Sequence, residues 1–112
     1  MSKHFDAIII GTGQAGPPLA ERLVNAGMRV AIIERQKFGG TCVNTGCIPT
    51  KTLVASAYSA QLARRGAEYG FAVNGEVRVD MDRVKARKDE ISGRSNKGIE
   101  ECSTASPPTP CI

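Results

Sequence analysis

A short apolar run broken by three glycines constrains this chain more than any other feature. Phe5-Asp-Ala-Ile-Ile-Ile10 leads directly into Gly11-Thr-Gly13-Gln-Ala-Gly16. A β-branched run of this length suits a strand buried on both faces, as in a parallel sheet. After Gly16, the residues Leu19, Ala20, Leu23 and Val24 recur at helical spacing and form one apolar stripe. Pro17 and Pro18 fall in the first helical turn, where a missing amide hydrogen is tolerated. Gly27 stands where a helix ends, and Val30 to Ile33 form a second β-branched run closed by Glu34. Strand, helix and strand in about 30 residues make a βαβ unit, whose crossover is expected to be right-handed.

The spacing Gly11-x-Gly13-x-x-Gly16 has the dinucleotide-binding form, which by itself is a weak signal and gains weight from its context. It follows a strand, opens a helix, and is answered by an acidic residue at the end of the next strand. Each glycine has a mechanical reason. Gly11 allows the tight turn, Gly13 lets the backbone approach a pyrophosphate, and Gly16 lets helix and strand pack closely. The helix N-terminus is expected to offer free amides and a positive dipole end to the phosphates. Glu34 is expected to accept hydrogen bonds from an adenosine ribose. The pattern leaves NAD and FAD equally open.

Further along, residues 35 to 50 are rich in Gly, Thr and Asn and read as a structured loop entering a helix. Leu53, Val54, Ala57, Tyr58 and Leu62 predict a helix over 52–65, with Gly66 after it. Residues 71 to 79 are expected to supply a short strand or hairpin around Asn74-Gly75. Asp80 or Asp82 is expected to cap a last, mostly polar helix reaching about Glu100, with Met81, Val84, Ile91 and Ile99 facing a core. A chain of 112 residues allows one small domain at most. Two strong strands and one or two weak ones do not complete a doubly wound sheet. With 41% hydrophobic and 23% charged residues, the composition is that of a globular protein. No apolar run approaches the ~20 residues of a membrane span, and the opening lacks a secretory signal's pattern. A cytoplasmic chain without a membrane partner is expected.

The net charge of +4 raises the question of a nucleic-acid partner. The densest basic stretch, Arg83, Lys85, Arg87 and Lys88, is followed at once by Asp89 and Glu90 and carries no aromatic residue for base stacking. It reads as a solvated helix face, so no nucleic-acid partner is expected.

Four cysteines in a reducing compartment seldom form a structural disulfide framework. Cys42 and Cys47 lie close together in Gly39-Gly-Thr-Cys42-Val-Asn-Thr-Gly-Cys47-Ile-Pro-Thr-Lys51. Residues five apart in a regular helix have Cα atoms roughly 8.6 Å from each other, whereas a disulfide tolerates at most about 7 Å. A bond between them needs an irregular first turn, which Asn44 and Gly46 make plausible. Such a strained, accessible pair at a helix start would be redox-labile. A zinc site competes, although zinc takes three or four protein ligands and His4 is the chain's single histidine. Two unrelated buried thiols are the third reading.

The segment from Gly39 to Lys51, taken with the upstream glycines, resembles the redox-active signature of the class I pyridine nucleotide–disulfide oxidoreductases. That family includes dihydrolipoamide dehydrogenase, glutathione reductase and mercuric reductase. The resemblance runs from the first strand to about residue 100 and turns the cysteine reading toward a redox disulfide. It implies an α/β fold, the N-terminal and incomplete part of a Rossmann-like, doubly wound FAD-binding domain. It further implies FAD held by Gly11, Gly13, Gln14, Ala15, Gly16, Glu34, Gly40, Thr41 and Lys51, with Thr41 near the phosphates or ribityl chain and Lys51 near the flavin's reactive edge. Electrons would pass from NAD(P)H through FAD to the Cys42–Cys47 disulfide, and on to a small-molecule disulfide or a metal ion. Cys47 would be the charge-transfer thiolate against the flavin and Cys42 the interchange thiol. Thr50 departs from the Ser or Lys of the lipoamide and glutathione enzymes, which leans the substrate toward the mercuric-reductase-like group.

The resemblance also implies a longer homodimeric parent whose NAD(P)H and dimerisation domains, and the histidine its partner subunit supplies as acid/base, have no counterpart among these residues. On its own, the chain is expected to be catalytically inactive, at most a remnant that binds FAD or exchanges thiols. A partial FAD-binding domain is therefore expected over residues 1–101. The stretch from Cys102 to Ile112 has three prolines, no charge and no period, and it reads as disordered or frameshifted. One inserted base would let it encode an amphipathic continuation.

Overall fold

The computed structural model describes residues 4–105. Strand β1 (Ala7–Ile10) pairs in parallel with β2 (Val30–Ile33), in the register Ala7↔Val30 through Ile10↔Ile33. Helix α1 (Gly16–Asn25) joins them, so the predicted βαβ unit is present. Its C-terminus closes with two backbone bonds, Gly27 N–H to the Val24 carbonyl (2.9 Å) and Met28 N–H to the Leu23 carbonyl (3.1 Å). Gly27 adopts a φ of +84° there, a left-handed conformation that glycine enters without strain.

The helix expected over 52–65 forms but starts earlier, and part of the loop expected at 35–50 is helical as well. Helix α2 (Gly40–Asn44) is a single short turn, and α3 (Cys47–Arg64) begins after Thr45 and Gly46. A 3₁₀ turn (Gly66–Tyr69) ends this arm. Residues 71–80 form no strand, contrary to the expected hairpin. A two-stranded ribbon is marginal alone, and this segment is tied back by the Phe71 N–H donating to the Gly66 carbonyl at 3.1 Å and by the Arg64 guanidinium reaching the Val77 carbonyl at 3.5 Å.

Helix α4 (Met81–Thr104) is capped by Asp80, whose carboxylate accepts from Arg83 N–H at 3.0 Å. It continues through Cys102, Ser103 and Thr104, past the expected boundary at residue 101; residues 106–112 lie outside the described residues. Val84, Ile91 and Ile99 turn inward as expected, but Met81 is exposed. The basic stretch is only partly a solvated face. The Arg87 guanidinium donates to the Thr52 carbonyl (3.1 Å) and Ser56 Oγ (3.2 Å), pinning α4 to α3.

Candidate functional site

The site forms where the glycine loop meets α2. Thr12, between the first two glycines, is fully buried. Its hydroxyl donates to Glu34 Oε2 at 2.6 Å and accepts from Gly39 N–H at 3.2 Å, while its own N–H reaches the same carboxylate oxygen at 3.0 Å. Glu34 Oε1 accepts from Gln36 N–H at 2.9 Å. One threonine thus joins the end of β2, the glycine loop and the entry to α2.

These bonds to ionised Glu34, the Thr12 hydroxyl first and the Gln36 and Thr12 amides next, lower its pKa to about 2. Most of a carboxylate's roughly four acceptor positions are therefore occupied within the chain. Glu34 is first a brace for the loop.

The loop itself keeps room. A side chain added at Gly16 would collide with the Gly11 carbonyl oxygen at 2.4 Å, which fixes the close helix–strand approach. One added at Gly13 would meet nothing within 4 Å. Among the described residues, the backbone N–H groups of Gly13, Gln14 and Ala15 donate to nothing within the chain. The free amides therefore lie just before α1 rather than in its first turn. Pro17 and Pro18 carry no N–H, Gly16 N–H is bonded to the Gly13 carbonyl (3.2 Å), and Leu19 N–H to the Ala15 carbonyl (3.2 Å). A hollow of about 340 Å³ runs along Gly11, Gly13, Gln14 and Gly16. Open space at Gly13 beside unpartnered amides fits a phosphate-bearing dinucleotide.

The cysteines lie on the other side of this contact. A Cβ at Gly40 would come within 3.0 Å of the Gly13 Cα, so α2 rests directly on the glycine loop. Cys42 sits in α2 and Cys47 is the first residue of α3. The helical break at Thr45-Gly46 supplies the irregularity the pair needs. A Cβ at Gly46 would fall 2.9 Å from the Thr41 carbonyl oxygen and 3.2 Å from the Cys42 Cα, so only glycine lets α3 fold back so tightly.

Both cysteines are free thiols, Cys42 half-buried and Cys47 exposed. Their mutual hydrogen bond, with burial next, pushes the Cys42 pKa above the usual thiol range. The Cys47 backbone N–H and the Lys51 ammonium favour the Cys42 thiolate and oppose that shift. Lys51 is exposed one turn after Cys47, and Thr41 is exposed on α2. A cavity of about 360 Å³ opens onto Cys42 from between Gly13, Pro17, Pro18, Ile48 and Ile99. Among the described residues no group of three or more His, Cys, Asp or Glu side chains is arranged to hold a metal. The zinc reading of the cysteine pair therefore has no ligand set here.

Two residues of this site went unflagged in the sequence, and a third, Asn44, was read only as a source of irregularity between the cysteines. Thr12 is the unspecified position of the glycine pattern, and Asn96 comes from α4. Asn96 Nδ2 reaches the Phe38 carbonyl at 2.6 Å and Asn44 Oδ1 at 3.2 Å. Spacing within the cysteine segment held no signal for a partner so far along the chain.

Fold and site together define a dinucleotide-binding βαβ unit with a dithiol built against its glycine loop. Residues 5–105 match the pyridine nucleotide-disulphide oxidoreductase family, and the chain belongs to it. Its relatives include the dihydrolipoyl dehydrogenases of Rhizobium etli (39% identical over 99 residues, 88% of this chain and 21% of that protein) and Acholeplasma laidlawii (35% over 99 residues, 88% and 30%). In structure it is similar to the HOCl-induced flavoprotein disulfide reductase RclA from Escherichia coli, solved as a Cu(II) complex. That likeness has a TM-score of 0.69 and 36% identity, over 89% of this chain and 19% of RclA. The architecture is thus part of a Rossmann-like flavoprotein domain. The chain spans about a fifth to a third of the length of these curated relatives.

Proposed function

We propose that these residues are the FAD- and dithiol-bearing part of a flavin-dependent disulfide oxidoreductase. The observation that carries this reading is the contact of Gly40 with Gly13, which sets a reactive thiol pair beside a loop open to a dinucleotide. FAD would be held by the Gly13, Gln14 and Ala15 amides, with Gly11 and Gly16 shaping the loop, Glu34 toward the ribose, and Gly40, Thr41 and Lys51 toward the flavin end. When bound, FAD supplies two-electron transfer between NAD(P)H and the cysteine pair.

The chain's own thiols do the rest. The cavity borders Cys42, so its thiolate attacks one sulfur of a substrate disulfide. A mixed disulfide forms and the other sulfur leaves as a thiolate that takes up a proton. The Cys47 thiolate then attacks Cys42 Sγ, the second substrate sulfur leaves, and Cys42–Cys47 closes as a disulfide. Two electrons pass from the pair to the substrate. Lys51 favours the attacking thiolate electrostatically.

A metal ion is the second substrate class, favoured by the Cu(II) held in the RclA structure and by the affinity of paired thiolates for soft metals. The proposed setting is the cytoplasm, where free thiols persist, and the longer parent is proposed to be a homodimer. The partial FAD-binding unit is assigned to residues 1–101. A foreign origin for 102–112 is part of the same proposal, and sequencing the gene for a family-like continuation in the shifted frame tests it. Gel filtration after incubation with FAD tests the site. Flavin is expected to co-elute with the wild-type chain and to be lost from Gly13→Ala, whose added methyl has room in the fold but fills the phosphate cradle. Equal retention by both would contradict the assignment. No flavin on either would leave only the thiol-exchanging remnant.

A further inference from the structure

Helix α2 is five residues long, far below the length at which a helix holds itself together in water, yet it fixes the position of Cys42. Its fastening is a pair of amides. Asn44 Nδ2 donates to the Phe38 and Gly40 carbonyls, each at 2.9 Å, wrapping the end of α2 back to its start. Asn96, from α4, donates to the same Phe38 carbonyl and to Asn44 Oδ1. Both hydrogens of each amide are spent, and Asn44 is held by an element 52 residues away in sequence. Neither hydrogen bond of the Asn96 amide goes to a sulfur.

We propose that Asn96 is a positioning residue for the thiol pair, holding Cys42 against Cys47 through Asn44 and so setting how readily the two sulfurs join. The idea rests on the redox reading of the pair given above. A disulfide forms from a dithiol in proportion to how well the protein keeps the sulfurs together. Releasing the Asn44 clamp lets α2 fray, the sulfurs separate more often, and disulfide formation weakens. The same loosening weakens the contact with the Cys47 thiol that raises the Cys42 pKa.

The test equilibrates the full chain in glutathione buffers and reads the Cys42/Cys47 peptide by differential alkylation and mass spectrometry. The pH profile of Cys42 alkylation is recorded beside it. Asn96→Ala is expected to lower the equilibrium constant for Cys42–Cys47 disulfide formation about three- to tenfold, the scale of one hydrogen bond's net contribution. It is also expected to move the Cys42 alkylation profile to lower pH. Asn96→Asp keeps the shape but loses both donated bonds and is expected to do the same. Should the alanine variant fail to fold, Asn96→Asp decides alone. Lys97→Ala, an exposed neighbour on α4, is expected to change neither readout.

Variants that melt earlier but keep the wild-type equilibrium constant and alkylation profile would overturn the proposal, leaving Asn96 a purely structural contact. A wild-type chain that forms no Cys42–Cys47 disulfide at any glutathione ratio would overturn the redox reading itself, and this proposal with it.

Discussion

Thr12 and Glu34 show how much of the site rests on single side chains. The Thr12 hydroxyl is the largest cause of Glu34's lowered pKa, so Thr12→Val is expected to raise the Glu34 pKa, read by carboxyl NMR titration. Glu34 titrates below its ordinary value of 4.5 in the folded chain. Its stabilising contribution is therefore complete above that value and lost as pH falls toward about 2. Thermal melts between pH 6 and pH 2.5 are expected to show this loss, and Glu34→Gln to flatten it in part, since Glu68 and Asp89 are lowered too. For the thiols, Cys47→Ala removes the hydrogen bond that most raises the Cys42 pKa. Cys42 in that variant is expected to alkylate faster at neutral pH, and an unchanged rate would contradict the contact. The position of Glu34 was legible from the strand it closes, but its bonds were not. Thr12 carries no periodicity or charge that a glycine pattern can reveal, and the loss of free amides to Pro17 and Pro18, plain in the sequence, outweighs the general helix-end argument.

Among the elements, local patterns held best where the chain supplies its own partner. β1, α1 and β2 follow the predicted order because each buries apolar side chains on its sequence neighbours. The hairpin at 71–79 failed because turn chemistry at Asn74-Gly75 does not substitute for a sheet to join. The break between α2 and α3 is the element on which the chemistry turns, and Asn44 and Gly46 did signal it. Gly46→Ala is expected to force apart Thr41, Cys42 and α3. A cost of about 1–3 kcal/mol, the range for overpacking, is anticipated in denaturant melts, together with slower Cys42–Cys47 disulfide closure. At the other end, Asp80→Ala is expected to cost about 1 kcal/mol through the lost α4 cap. The cysteine contact is expected to be unaffected.

At the scale of the molecule, the hydrophobic residues are sufficient in number but poorly covered. Val43 and Pro17 are the buried apolar side chains among the described residues, while Ile8, Ile10 and Ile33 leave a sheet face bare and Ile10 is 85% exposed. Val54 and Tyr58, predicted on the apolar side of α3, are exposed as well. The radius of gyration is 20.0 Å, against about 13 Å for a compact domain of this length. Solution scattering is expected to return a value near the former, with strong binding of an apolar dye and a broad thermal transition. Sequence periodicity identifies which faces are apolar but not whether anything lies against them, which is why the expected core residues Leu19 and Met81 emerge exposed. The central claim is that a dinucleotide over the glycine loop meets the dithiol, and mild reduction of the FAD-loaded chain tests it most directly. A long-wavelength charge-transfer band that persists in Cys42→Ser and vanishes in Cys47→Ser is the predicted result. Bound flavin that bleaches without such a band in the wild-type chain would contradict it.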